Sequence, residues 1–129
     1  MGMTCEGVLF WGFPVDPNYA EEHDDPEEDF MASRGMKYED FPDTPEYLKK
    51  KKEFIGKLNV AAGIVWGCCR EPSIYVYIES SRKVAEWGEM VPVDSLEVGE
   101  AWEKNLKEFC DGAGIPWETP RWFVTSYYG

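Results

Sequence analysis

The order of apolar runs along the chain most constrains its fold. Four runs have strand character, at residues 6–13, 62–68, 73–79 and 121–128. One stretch with helical spacing follows the first run, and another follows the third. This β-α-β-β-α-β order is that of the ferredoxin-like, split βαβ fold. We therefore predict one α+β domain over residues 1–129.

The character of each run agrees with that topology. The first, EGVLFWGF, is continuously apolar, as in a buried central strand. The third, SIYVYIE, alternates, with Ile74, Val76 and Ile78 on one face and Tyr75 and Tyr77 on the other. The second contains two glycines and the fourth follows a proline, which is typical of edge strands.

Capping residues mark the helix boundaries. Asp43 or Thr44 is placed to cap a helix that begins with Pro45. A second helix is predicted to open at residue 94 or 95 and to end at a glycine, residue 112 or 114. Between the third run and this helix, residues 87–91 are a candidate short strand.

A long acidic insertion, residues 14–43, lies between the first strand and the first helix. Eleven acidic residues between positions 16 and 43 are opposed only by Arg34 and Lys37, so this segment carries nine of the twelve excess negative charges. It also holds four prolines and is too polar for a core element, although its second half has apolar residues placed to anchor it: Phe30, Met31, Met36, Tyr38 and Phe41. A segment of this kind is usually functional or disordered.

The charge indicates which partners are natural. Nucleic acid and anionic membranes are disfavoured, because binding either depends on Lys and Arg. A basic protein surface is the expected partner. The candidate partner-binding residues are Asp16, Glu21, Glu22, Asp24, Asp25, Glu27, Glu28 and Asp29.

The sequence offers no catalytic or metal signature. His23 is the only histidine and lies among acids, which predicts a solvated surface side chain without fixed geometry. The acids do not follow a calcium-loop pattern, and no CxxC motif or histidine pair suits zinc. Cys68 and Cys69 are interpreted as small core hydrophobes. We predict no catalytic residue, no metal and no cofactor.

Localisation follows from the first residues and the thiols. The opening residues, MGMTCEG, carry neither a basic cluster nor an apolar run, so no secretory signal is expected. No run approaches the roughly 20 apolar residues that a membrane span needs. All four cysteines are expected to be reduced thiols in a cytoplasm.

Three passages resemble known proteins: EGVLFWGFPV, LKEFCDGAGIPWE and RWFVTSYYG. The likeness is to a set of small proteins of no assigned function, encoded by bacterial viruses and some bacteria. It implies a shared fold and a viral origin, and with it a host cytoplasm as the place of action. It carries no catalytic residues over.

The leading functional hypothesis is a non-enzymatic protein-binding module that presents its acidic segment to a basic surface of another protein. Its narrower form is a viral inhibitor or nucleic-acid mimic, whose carboxylates stand in for phosphates. The alternatives are a small-molecule binder or sponge with an aromatic pocket, a small enzyme, and an assembly subunit. A plain solubilising loop is the simplest explanation of the acids. The oligomeric state stays open.

Overall fold

The elements of the chain are given by a computed structural model, which describes residues 5–23, 25–39, 44–65 and 73–128. Within these residues there are five strands and four α-helices, and short 3₁₀ turns cover Gly56–Leu58 and Glu79–Ser81. In chain order the elements are β1 (Cys5–Pro14), α1 (Pro17–Glu22), α2 (Pro26–Ser33), α3 (Pro45–Phe54), β2 (Val60–Val65), β3 (Ser73–Ile78), β4 (Lys83–Glu86), α4 (Trp102–Ala113) and β5 (Arg121–Tyr128). The α+β class is confirmed.

The strands form one antiparallel sheet around β1. β5 pairs with β1 over residues 5–12, whereas the other edge of β1 is shared, by β4 at residues 6–9 and by β3 at residues 12–14. β2 pairs with the far side of β3. β2 and β5, at opposite ends of the sheet, also come into contact, so the sheet is curled.

A buried serine closes the gap where β3 gives way to β4. The 3₁₀ turn there leaves the backbone N–H of Trp11 without a strand partner, and this N–H donates to Ser81 Oγ at 2.9 Å. The Ser81 hydroxyl in turn donates to the carbonyl of Ile78 at 2.6 Å. The side chain thus replaces a missing ladder bond, since a buried N–H must find an acceptor.

The predicted alternation along β3 is confirmed. Ile74, Val76 and Ile78 enter the main core with the helices, while Tyr75 and Tyr77 pack on the opposite face of the sheet. There the ring of Tyr75 stacks on Phe10 with centroids 4.4 Å apart. These rings bury both tyrosines, and among the described residues only strands contribute to this cluster.

Helices α2 and α4 pack together in the main core. The rings of Phe30 and Phe109 stack with centroids 5.2 Å apart, and Met31 is fully buried beside them. Gly112 allows the contact, because a Cβ there would meet the Phe30 ring at 2.6 Å. Burying a phenylalanine or a methionine is worth about 2 kcal/mol each.

This packing corrects the prediction of an acidic insertion. Residues 14–43 are not one polar connection, since α1 and α2 lie within them. The predicted anchoring of its second half is confirmed for Phe30 and Met31, which are buried. Met36 and Tyr38 pack partly buried against the main core, and Phe41 lies outside the described residues. The expectation that the segment holds no core element is wrong, because α1 and α2 contribute Tyr19, Phe30 and Met31 to the core.

Three helix boundaries can be compared with their predictions: the start of α3 and both ends of α4. α3 begins as predicted, with Thr44 Oγ1 accepting from the N–H of Tyr47 at 3.2 Å. α4 ends at Gly114, which takes the left-handed φ of +74°. It starts at Trp102 rather than at residue 94 or 95. Upstream of α4, the carbonyl of Leu96 accepts from the Trp122 indole N–H at 2.9 Å. This carbonyl is therefore bonded to a side chain of β5 and not to a helical N–H.

The predicted short strand at residues 87–91 is wrong. The extra strand is β4, Lys83–Glu86, and a turn follows it directly. In the last residue pair between β4 and β1, Glu86 lies opposite Glu6.

Gly12 provides a test of the sheet. A Cβ at this position would lie 2.0 Å from the carbonyl oxygen of Val76, whereas one at Gly7 in the same strand would meet nothing within 4 Å. We expect Gly12→Ala to lower the free energy of unfolding by about 3 kcal/mol, because backbone has to move. Gly7→Ala should change it by no more than about 0.5 kcal/mol. Urea unfolding measures both, and equal losses would contradict the strand packing.

Candidate functional site

The candidate partner-binding residues lie on α1, α2 and the residues that precede each helix. We call residues 16–29 the acidic corner. Asp24 lies outside the described residues, and the other seven candidates are within them. Their surroundings divide them into carboxylates that hold the corner together and carboxylates that face solvent.

Two of the candidates cap helices. Asp16 Oδ1 accepts from the N–H of Asn18 at 2.8 Å, in front of α1. Asp25 Oδ1 accepts from the N–H groups of Glu27 and Glu28 at 3.0 and 3.2 Å, in front of α2. Each is followed by a proline at the first helical position. Asp-Pro occurs at both places in the sequence and is a signal for the start of a helix. We predicted a helix start at Pro45 but not at these two prolines.

Asp29 joins α1, α2 and α4 through Tyr19. Its Oδ2 accepts from the Tyr19 hydroxyl at 2.9 Å and lies 2.8 Å from His23 Nδ1. The same hydroxyl lies 2.8 Å from the carbonyl oxygen of Ala113 at the end of α4. Burial and the Asp29 carboxylate raise the pKa of Tyr19 well above its usual range, so the phenol keeps its proton as a donor.

His23 is therefore not the freely solvated side chain that the sequence predicts. Its ring stacks on Tyr19 with centroids 4.2 Å apart and an angle of 11° between the planes. Together with the contact to Asp29, this fixes the imidazole, although its side chain is still 38% exposed. The acids beside His23 in the sequence predicted a solvated side chain. Its actual partner, Asp29, is six positions away on the next helix.

Glu27 ties the corner to α3 and β2. Its Oε1 lies 3.2 Å from Lys51 Nζ, and its Oε2 accepts from the N–H of Ala62 at 3.4 Å. Ala62 belongs to an edge strand, so the carboxylate occupies part of an edge that is open to pairing. Four candidates, Asp16, Asp25, Glu27 and Asp29, thus have structural partners, and Glu28 is half-buried.

Glu21 and Glu22 differ from the rest of the corner. Both are exposed, and they occupy the last turn of α1. Negative charge at a helix C-terminus is unfavourable by a few tenths of a kcal/mol, because the backbone dipole is negative there. These two carboxylates do not stabilise their own helix, which makes them the best candidates for an intermolecular role.

The described residues offer few groups for metal binding or thiol chemistry. Among the described residues, no three His, Cys, Asp or Glu side chains converge as they would around a metal ion. Cys110 is a free thiol, fully buried on α4, and burial raises its pKa to about 12. Such a thiol is inert at neutral pH. Cys68 and Cys69 lie outside the described residues.

The aromatic face of the sheet is largely closed. Phe10, Tyr75, Tyr77 and Phe123 pack on one another rather than around a cavity. An open cleft of about 240 Å³ lies beside Phe10, Tyr75 and Thr125. It is smaller than the roughly 300–1,000 Å³ usual for ligand pockets.

Comparison with family models, curated proteins and solved structures finds no match to this chain. None of the helices in the described part of the chain has the length and apolar character of a membrane span.

The capping role of Asp25 can be separated from its charge. Asp25→Ala removes both and should lower the free energy of unfolding by about 1 kcal/mol. Asp25→Asn removes only the charge and keeps an oxygen that accepts from the Glu27 and Glu28 N–H groups, so stability should stay within about 0.5 kcal/mol of wild type. Thermal and urea unfolding measure both variants. Equal losses from the two would show that the charge, and not the cap, is what α2 requires.

Proposed function

We propose that this chain is a non-enzymatic protein-binding module, whose acidic corner binds a basic surface of another protein. The observation that carries the proposal is the exposed pair Glu21 and Glu22 on a helix that is itself fixed. Tyr19, on the same helix, is buried; its hydroxyl donates to Asp29 and lies 2.8 Å from the carbonyl oxygen at the end of α4. Carboxylates held on a fixed helix lose less conformational freedom on binding than those of a flexible loop.

The surrounding charge supports the same partner chemistry. Arg34 and Lys37 are the only Arg and Lys residues between positions 16 and 43. Arg34 is directed to α4, with a guanidinium nitrogen 3.9 Å from Glu108 and its carbon 4.6 Å from the Phe30 ring centroid. The field around the corner is therefore negative, which accelerates association with a cationic surface.

The narrower proposal is a viral inhibitor that mimics nucleic acid for a host enzyme, acting in the host cytoplasm. It rests on the resemblance of both ends of the chain to virus-encoded proteins and on the density of carboxylates. A fixed array of carboxylates presents charge to Lys and Arg much as phosphates do.

We also propose a ferredoxin-like classification for the fold. The neighbour order β5, β1, β3, β2, with antiparallel pairs throughout, supports it. The additions would be β4 on the edge of β1 and three helices instead of one in the first crossover.

A small-molecule binder is the second candidate. The cleft beside Phe10 and Tyr75 favours it, since aromatic walls and the hydroxyls of Ser73 and Thr125 are available there. A rise in melting temperature with an added metabolite would be its first support.

The charge hypothesis predicts salt-sensitive binding that depends on α1. A pull-down from cell lysate at about 50 mM salt should retain a basic protein. This protein should be lost at about 500 mM salt, because the Debye screening length falls to a few ångströms. Glu21→Gln with Glu22→Gln should weaken the purified complex at least about fivefold at low salt, mainly through slower association.

The control neutralises Glu79 and Glu118, which are equally exposed but lie outside the corner. If this pair weakens binding as much as the α1 pair, net charge is responsible and the acidic corner is not a site. Binding that is unaffected by salt would also contradict the proposal.

A further inference from the structure

The connection between β4 and α4 is long and irregular. It covers residues 87–101, and only turns interrupt it. Connections of this length without secondary structure are uncommon in compact domains and are usually functional or disordered. We call it the β4–α4 loop.

This loop concentrates exposed apolar side chains. Five of the eight large hydrophobic residues that are exposed in the described part of the chain belong to it: Trp87, Met90, Val93, Leu96 and Val98. The side chains of Trp87 and Met90 are 86% and 94% exposed. A tryptophan and a methionine so fully in water contribute nothing to the core, and both residue types are enriched at protein interfaces.

Acidic residues alternate with these apolar ones. Six acids and no Lys or Arg lie between Val84 and Glu103: Glu86, Glu89, Asp94, Glu97, Glu100 and Glu103. This second negative segment is separate in sequence from the acidic corner. Its mixture of tryptophan, aliphatic residues and carboxylates differs from the corner, where the large apolar side chains are buried.

The loop is held in place, although it has no regular structure. Residues 86–89 form a turn in which the Glu89 N–H donates to the Glu86 carbonyl at 2.8 Å, and Gly88 takes the positive φ of +80° that favours glycine. Trp87 thus stands at the tip of a fixed turn. Further along, the Leu96 carbonyl is bonded to the Trp122 indole.

Behind the loop, the sheet continues the apolar surface. Val91 and Val93 line a shallow groove with Leu9 and Ala85, and among the described residues Lys83 is the one charged residue in its lining. Val124 of β5 closes the groove and is itself 78% exposed. No helix in the described residues contributes to this groove, whose walls are β1, β4, β5 and the loop.

We propose that the β4–α4 loop and this groove form a second docking surface, which binds a cationic amphipathic segment of a partner protein. The apolar face of that segment would cover Trp87, Met90 and the groove, and its Lys or Arg residues would meet the surrounding carboxylates. Charge complementarity selects this occupant over a second copy of the chain, because two copies would bring their acidic loops together. The proposal does not depend on the acidic corner.

The test uses synthetic peptides of defined pattern and the full chain. The probe is a labelled helical peptide of about 18 residues with leucine on one face and lysine on the other. One control peptide replaces lysine with glutamate, and another replaces leucine with serine. Fluorescence anisotropy should show binding of the leucine–lysine peptide that is at least about tenfold tighter than that of either control.

Variants locate the site. Trp87→Ser with Met90→Ser should raise the Kd at least about tenfold, because exposed tryptophans of this kind are frequent hot spots. Both side chains are exposed, so the melting temperature should not change, which separates lost binding from lost folding. Leu48→Ser on α3 is the matched control, since Leu48 is also exposed but neighbours lysines, and it should leave the Kd within about twofold.

Four results would overturn the proposal. The variant with Trp87→Ser and Met90→Ser could bind the peptide as tightly as wild type. In NMR spectra, the amide chemical-shift changes on peptide addition could fall on residues 16–29 instead of 84–103. The serine–lysine peptide could bind as well as the leucine–lysine peptide, which would reduce the attraction to charge alone. Analytical ultracentrifugation could show a dimer that dissociates when Trp87→Ser and Met90→Ser are introduced. The docking surface would then be occupied by a second copy of the chain.

Discussion

The packing of α2 against α4, centred on the stacked rings of Phe30 and Phe109, attaches the most charged part of the chain to its core. Gly112 brings the two helices close enough for this contact. From the same side of the molecule, Tyr19 reaches the carbonyl at the end of α4 through its hydroxyl. If these contacts were absent, residues 16–33 would have little apolar surface to bury and no reason to stay helical, because helices of six and eight residues are unstable alone.

The acids of this segment therefore serve two purposes, which composition alone cannot separate. Asp16 and Asp25 start the helices, and Glu27 and Asp29 join them to neighbouring elements. Glu21 and Glu22 have no comparable bond to another of the described residues. A high count of carboxylates thus overstates the number that are available to a partner.

Local signals account for what could be predicted from the sequence. The alternation of β3, the Thr44 cap and the glycine that ends α4 each depend on a few adjacent residues, and all are present in the structure. The start of α4 was predicted too far upstream, at residue 94 or 95 instead of Trp102. There, a bond from Trp122, distant in sequence, engages the Leu96 carbonyl.

What escaped prediction depends on long-range contacts. α1 and α2 have few apolar residues, and their partners on α4 lie some 80 positions away. The contact between His23 and Asp29 requires the turn between two helices that were not expected. The exposed Trp87 and Met90 could not be distinguished from core residues, because exposure is a property of the folded chain.

Native-state hydrogen exchange of the amides in the second half of α2 tests the central claim most directly. If α2 belongs to the core, these amides should open with a free energy within about 1 kcal/mol of those in α4, because the two helices would unfold together. Exchange of residues 30–33 at nearly unfolded rates, with α4 and β1 still protected, would show that the acidic segment is an appendage and would contradict the account.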